Sequence, residues 1–159
     1  MEVRRHRRLI RFALIYLVVT IGVLAAWILI APKGFYDNFP GGSAHWVSVL
    51  PPYNEHLERD FGAAALGLTV LAALAALWME RRVIQASALS LLGAGVPHFA
   101  YHLTTTEHLS TGDNAGSLIG LGLDVLLPLA LLYLVSDLAQ RPSVRPETPR
   151  AEPAANSPR

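Results

Sequence analysis

The chain has 159 residues, which is enough for one domain. Apolar residues make up 52% of the chain and charged residues only 16%, whereas a soluble domain carries about a quarter charged residues. This composition excludes a disordered chain and argues against a soluble enzyme. The formal net charge is only +1. The absence of cysteine excludes disulfide scaffolds, thiol redox chemistry and cysteine-bound metal clusters.

Four apolar runs predict an all-α fold, an integral membrane four-helix bundle over residues 9–138. The first run has about 23 residues, or roughly 34 Å of helix, which suits a bilayer core of about 30 Å. It is longer than the apolar region of a signal peptide, about 7–15 residues, so we predict a retained helix. The predicted spans are 9–31, 56–79, 83–104 and 115–136.

Lysine and arginine are distributed unevenly around these spans. All thirteen except Lys33 and Arg59 precede or open the first span, lie in the hairpin Glu80–Arg82, or follow the fourth span. The positive-inside rule therefore predicts a multi-pass protein of the cell membrane with both termini in the cytoplasm. The basic N-terminus, 1–8, is expected to contact anionic lipid rather than nucleic acid. The Pro-rich segment 139–159 is expected to be a disordered cytoplasmic tail.

The first outer loop is long and rich in aromatic residues, which favour the head-group region of a membrane. Ser43 is a good N-cap for a short helix through Val47 to Leu50, which Pro51 and Pro52 would end. We predict an interfacial helix here. It would act either as a membrane-surface anchor or as a lid over a pocket.

The start of the second span carries helix-capping signals. Asn54 is a good N-cap, and Glu55 and Glu58 fall in the first turn, where the helix dipole favours carboxylates. Glu55 and Arg59 are four residues apart and can pair. Capping and surface electrostatics thus explain these four residues.

His56 and Asp60 are not explained in this way. They are four residues apart, so they share a face of the helix, and that face continues through Ala63, Ala64 and Gly67. A small face in a membrane helix favours close packing against another helix. We therefore expect His56 and Asp60 to point toward the bundle.

The third span ends with His98 and His102, also four residues apart. Such a pair on a helix can hold one metal ion when further ligands come from elsewhere, although interfacial histidines also bond simply to water or backbone. Because spans two and three are joined by a short hairpin, their outer ends must be neighbours. His56, Asp60, His98 and His102 could then converge on zinc, copper or iron, with Asp60 alternatively orienting a histidine. A heme or a quinone is the alternative cofactor.

Asp124 lies near the middle of the fourth span. An ionisable group at this depth must face the interior, where it has either a function or a structural hydrogen bond. The wider polar set that we expect to support the site is Asn54, Glu55, Glu58, Arg59, Tyr101, His108 and Asp124.

The stretches Pro52–Gly62 and Pro97–His102 resemble a group of small, uncharacterised four-helix membrane proteins of actinobacteria. In overall layout the chain is also similar to DoxX-like proteins. The DoxX resemblance implies a membrane component of redox or oxidative-stress machinery, sometimes beside a quinone. It supplies no site residues, because no DoxX motif matches this chain residue by residue.

Two functions are consistent with these features. The first is a membrane protein with an outward-facing pocket of His, Asp and Glu side chains. This pocket would bind a metal ion or a small polar or quinone-like ligand for redox or acid–base chemistry. The second is a non-enzymatic accessory or scaffold subunit that binds a membrane-protein partner or forms a homo-oligomer. The residues alone do not decide whether the protein is an enzyme.

Overall fold

The computed structural model describes residues 2–50, 52–105 and 107–140, with side chains from 6 to 136 outside the two gaps. Within them the fold is all-helical apart from one very short hairpin. The helices are α1 (Glu2–Ile30), α2 (Pro32–Asn38), α3 (Glu55–Trp78), α4 (Arg81–Thr104) and α5 (Thr111–Gln140). The hairpin strands are β1 (Pro40–Gly41) and β2 (Ala44–His45). The greater part of the predicted disordered tail, 141–159, lies outside the described residues.

Four helices in the described part of the chain are long and apolar enough to cross a membrane, as predicted. They are His6–Ile30, Glu55–Trp78, Arg81–Thr104 and Thr111–Ser136. We call the end of the bundle where α1 begins and Glu80 joins α3 to α4 the arginine end. The opposite end, with residues 31–54 and 105–110, is the loop end.

The four long helices are arranged as two closely packed pairs, α1 with α3 and α4 with α5, and contacts of α3 with α4 and α1 with α5 close the bundle. Glycines allow the closest approaches. A Cβ on Gly62 of α3 would lie 2.7 Å from Cγ2 of Ile28 on α1. A Cβ on Gly95 of α4 would lie 3.3 Å from the backbone oxygen of Asp124 on α5. A larger residue at either glycine would disturb the packing, against a side chain of α1 at Gly62 and against the backbone of α5 at Gly95.

The continuous buried core lies in the arginine half of the bundle. All four long helices contribute aliphatic side chains to it, so this half is sealed by close packing. Its members are Ile10, Leu14, Leu17, Ala75, Ile84, Ala88, Leu91, Leu131 and Val135.

The predicted helix from Ser43 to Leu50 is wrong. The short helix of this loop is α2, where Pro32 occupies the first turn, a position that tolerates proline because the missing N–H has no helical partner there. Downstream, Gly41 and Gly42 have positive φ values of 123° and 65°, which lets the chain turn back so that β2 pairs with β1. Ala44 and His45 pair with β1, and the residues that follow them form turns. This segment therefore cannot form the predicted helix.

The long loop reaches from α1 across to α5 through a chain of aromatic rings. Trp27 of α1 contacts Phe35, Phe35 contacts Phe39, and Phe39 contacts Trp46, with centroid distances of 5.7, 5.0 and 5.8 Å. The indole nitrogen of Trp46 then donates a 2.8 Å hydrogen bond to Asp113 at the start of α5. The loop thus ties the two helix pairs together at the loop end.

Candidate functional site

The predicted histidine pair is brought together on α4. The imidazole rings of His98 and His102 have their centroids 5.0 Å apart and are tilted by 60°. The ring centroids of Tyr101 and His102 are 5.4 Å apart, and the two ring planes are nearly perpendicular. From α3, Phe61 meets His98 edge-on at 6.3 Å. The two imidazoles therefore lie where α3 and α4 meet at the loop end, as the short hairpin between these helices predicts.

The exposure of this face of α4 changes along the helix. Ile84, Leu91 and His98 follow one another at seven-residue intervals, so they share a face. Ile84 is 2% exposed and Leu91 4% exposed, whereas His98 is exposed. The inward face of α4 is thus covered in the arginine half and uncovered near the loop end.

The other predicted pair does not point into the bundle. His56 Nε2 lies 3.4 Å from Asp60 Oδ2, but the two side chains are 87% and 63% exposed. The buried face of α3 is instead formed by residues such as Gly62 and Ala65. This corrects the expectation that the small face following Asp60 would pack within the chain.

The four predicted ligands do not form one cluster. Among the described residues, no group of three or more His, Asp or Glu side chains is arranged so that it could hold a metal ion. The predicted zinc, copper or iron site therefore stays a prediction, and the residues that could contribute to it from one chain are His98 and His102.

The predicted capping residues at the start of α3 stabilise the end of that helix. Asn54 Oδ1 accepts a 3.2 Å hydrogen bond from the backbone N–H of Leu57, as predicted for an N-cap. Arg59 pairs with Glu55 at 2.8 Å and donates a second bond of 3.0 Å to the backbone oxygen of Leu29. Arg59 therefore satisfies a carbonyl in the last turn of α1 and joins the loop ends of α1 and α3.

The remaining predicted polar residues lie apart from the histidine pair. Glu58 is half-buried in the first turn of α3. His108 lies in the short second loop, where its Nε2 is 3.8 Å from Glu107 Oε1 and its side chain is 46% exposed. Neither residue contacts His98 or His102 in the described part of the chain, so neither extends the site.

Asp124 faces the bundle interior, in agreement with its expected position. It shares a face of α5 with three buried residues, Ser117, Pro128 and Leu131. Its own side chain is half-buried. Because Pro128 has no N–H, the backbone carbonyl of Asp124 lacks its normal helical hydrogen bond. This backbone oxygen lies against α4, 3.3 Å from the position of a Cβ on Gly95.

Sequence reasoning missed the bond between Trp46 and Asp113. Asp113 also interacts with Ser110, whose hydroxyl lies 2.6 Å from Asp113 Oδ2 and accepts from the Asp113 N–H at 3.1 Å. The Ser-x-x-Asp spacing is a capping-box pattern and could have identified this helix start. No local pattern connects Asp113 with Trp46, which is 67 residues away.

Comparison of the chain with protein-family models, with curated proteins and with solved structures finds no match. The resemblance to the actinobacterial group and to DoxX-like proteins therefore stays a prediction.

Proposed function

We propose that this protein is a non-enzymatic subunit of the membrane that binds a transmembrane helix of a partner through the outward face of α3. The observation that carries the proposal is the exposure of Ala63, Ala64 and Gly67, which we call the small surface. A Cβ placed on Gly67 would meet no atom within 4 Å. Small residues let helix backbones approach closely within a bilayer, and they are enriched at helix–helix interfaces there.

The small surface differs from the outward face of α1. That face exposes bulky side chains suited to lipid, such as Phe12 and Val23. On α3 the small surface is bordered by the exposed Leu66 and Val70. Leu66 and Val70 would pack against the sides of the partner helix. The small residues between them would let its backbone come close to α3.

The His56–Asp60 pair extends the small surface to the loop end. Its two side chains are exposed and bonded only to each other at 3.4 Å in the described structure. They can donate to and accept from polar groups of the partner, which would fix the partner's register on α3. An outward small face with a polar pair at one end thus favours binding over catalysis within the chain.

The distribution of arginine supports an orientation for this assembly. With the arginine end in the cytoplasm of a cell-membrane protein, the His56–Asp60 pair would meet its partner on the outer side.

The test is gentle solubilisation of native membranes and measurement of the mass of the purified particle by native mass spectrometry. We expect a complex larger than one chain, and the identity of the added mass separates a second copy from another protein. Gly67→Leu should release the single chain. Gly120→Leu is the matched control, because Gly120 on α5 is also exposed with open space around a Cβ. A single-chain particle from the unaltered protein would overturn the proposal.

A second candidate function is ligand binding at His98 and His102. It is favoured by the 5.0 Å approach of the two rings at the open end of the bundle. Such a pair would supply two imidazole ligands to zinc, copper or iron, or one axial ligand to a heme. Metal analysis and a visible spectrum of the purified protein test this, with the His98→Ala, His102→Ala double variant compared with His56→Ala. Metal content that is equal in both variants would exclude the pair as ligands.

A further inference from the structure

Asp124 is isolated from other ionisable groups. Residues 61–78 of α3 and 83–97 of α4 contain no Asp, Glu, Lys, Arg or His, and neither do 12–30 of α1. On α4, His98 follows Gly95 by about one turn toward the loop end, and Gly95 is the residue that contacts Asp124. Within the described residues Asp124 has no cationic partner, and a bound proton is the simplest way to neutralise a carboxylate at this depth.

A line of polar groups leads from Asp124 to the loop end. Asp113, Ser117 and Asp124 are spaced by four and seven residues, so they lie along one face of α5. Ser117 is only 5% exposed and lies about one turn from Asp113 and about two turns from Asp124 along α5. Asp113, at the top of the line, is already a hydrogen-bond acceptor for Ser110 and Trp46.

The line ends at Asp124 because the packing below it is apolar. On the same face of α5, Pro128 and Leu131 are fully buried, and Leu131 belongs to the continuous core of the arginine half. Close-packed aliphatic side chains leave no hydrogen-bonded route for a proton in that direction. Toward the loop end the same face of α5 carries the polar residues Ser117 and Asp113 instead.

Trp46 covers the upper end of the line. A Cβ on Gly116, one turn beyond the start of α5, would lie 3.2 Å from Cζ2 of the Trp46 ring. The indole therefore lies directly on α5 between the loop-end surroundings and Ser117, and its bond to Asp113 fixes it there.

We propose that Asp124 is a proton-binding site in the membrane interior that exchanges with the loop side alone, along Ser117 and Asp113 and beneath Trp46. In the exchange, the O–H bond of the Asp124 carboxylic acid breaks, and water relayed by the Ser117 hydroxyl takes the proton toward the Asp113 carboxylate. The reverse transfer restores the acid. This site does not depend on partner binding at the small surface.

The first measurement is the infrared band of a protonated carboxylic acid, recorded on the full-length protein in liposomes. We expect such a band in the unaltered protein and its loss in Asp124→Asn. Labelling with a membrane-soluble carbodiimide, which reacts with protonated carboxyl groups in apolar surroundings, should modify the peptide that contains Asp124. A band that persists in Asp124→Asn, or an Asp124 peptide that stays unlabelled, would overturn the proposal.

The second measurement is the rate at which this band shifts when the liposomes are transferred to heavy water. Ser117→Ala should slow the exchange about tenfold, and Trp46→Ala should accelerate it. Ser136→Ala is the matched control, because Ser136 lies on α5 in the arginine half, where its hydroxyl donates to the backbone oxygens of Leu132 and Tyr133. Equal rates in Ser117→Ala and Ser136→Ala would refute exchange along this line.

Discussion

Trp46 and Asp113 join two parts of the chain that are 67 residues apart, through a 2.8 Å hydrogen bond from the indole nitrogen to Oδ1. The bond connects the long loop, which continues from α1, with the first turn of α5. The bundle thereby closes at its loop end on the side of α1 and α5, while the side of α3 and α4 keeps its histidines uncovered. The long loop therefore covers the loop end over α1 and α5 but leaves His98 of α4 exposed.

Replacing Trp46 with phenylalanine should remove this hydrogen bond while keeping a ring over Gly116. We expect a lower free energy of unfolding, because the hydrogen bond to the Asp113 carboxylate is lost. Circular dichroism during thermal unfolding in detergent measures the change. Trp78→Phe is the control, since Trp78 is exposed at the end of α3. An equal effect of the two substitutions would show that the bond to Asp113 does not hold the loop.

Gly62 should be intolerant of even a methyl group. A Cβ there would lie 2.7 Å from Cγ2 of Ile28, a stiff β-branched side chain that cannot move aside easily. We expect Gly62→Ala to destabilise the protein by about 1–3 kcal/mol through overpacking of α1 against α3. Gly67→Ala has open space and should leave stability unchanged or raise it. Unfolding of both variants in the same detergent makes the comparison, and equal stabilities would contradict the packing described for α1 and α3.

Replacing Ser87 with alanine should stabilise the protein. Its side chain is fully buried and its hydroxyl has no hydrogen-bond partner in the described structure. Alanine removes the unsatisfied hydroxyl at little cost in packing, so Ser87→Ala should raise the free energy of unfolding by about 1 kcal/mol. Ser90→Ala, at an exposed position of the same helix, should change it little. A Ser87→Ala protein less stable than the unaltered one would indicate that the hydroxyl has a partner.

Lys33 should titrate above its ordinary range. The hydrogen bond to Asp37, with Nζ 2.8 Å from Oδ2, raises the pKa of Lys33 above 10.5, an effect that burial partly opposes. Since the pKa is higher in the folded than in the unfolded state, the stabilisation is present below pH 10.5 and is lost as the pH rises through the folded-state pKa. Lys33 is the one lysine of the chain, so the NMR signal of its methylated amine follows it directly. Asp37→Asn should lower the midpoint, and an unchanged midpoint would refute the pairing.

The sequence predicts the helices better than their orientations. Apolar length identifies the four long helices, and local rules identify the Asn54 cap and the Glu55–Arg59 pair, because both depend on neighbours within one turn. The orientation of α3 is a different case. Small residues occur on two of its faces, with Gly62 on one and Gly67 on the other, so residue size alone cannot decide which face meets α1. The structure buries Gly62, and His56 and Asp60 consequently turn outward.

The long loop was harder to predict for a related reason. Ser43 has the chemistry of an N-cap, but the positive φ values of Gly41 and Gly42 turn the chain back, and Ala44–His45 pairs with Pro40–Gly41. Hydrogen bonds to β1 compete with the helix that Ser43 would start. The aromatic contacts of Phe39 with Trp27 and of Trp46 with α5 hold the hairpin in place. No local sequence pattern predicts contacts between residues so far apart.

The central claim, binding of a transmembrane helix at the small surface of α3, is tested most directly by site-specific photo-cross-linking. Because the chain has no cysteine, Gly67→Cys and Gly120→Cys each carry a benzophenone at a single position without further changes. Illumination of native membranes should give a cross-linked protein adduct from position 67 and none from position 120. Adducts of equal yield from both positions, or no protein adduct from position 67, would contradict the claim.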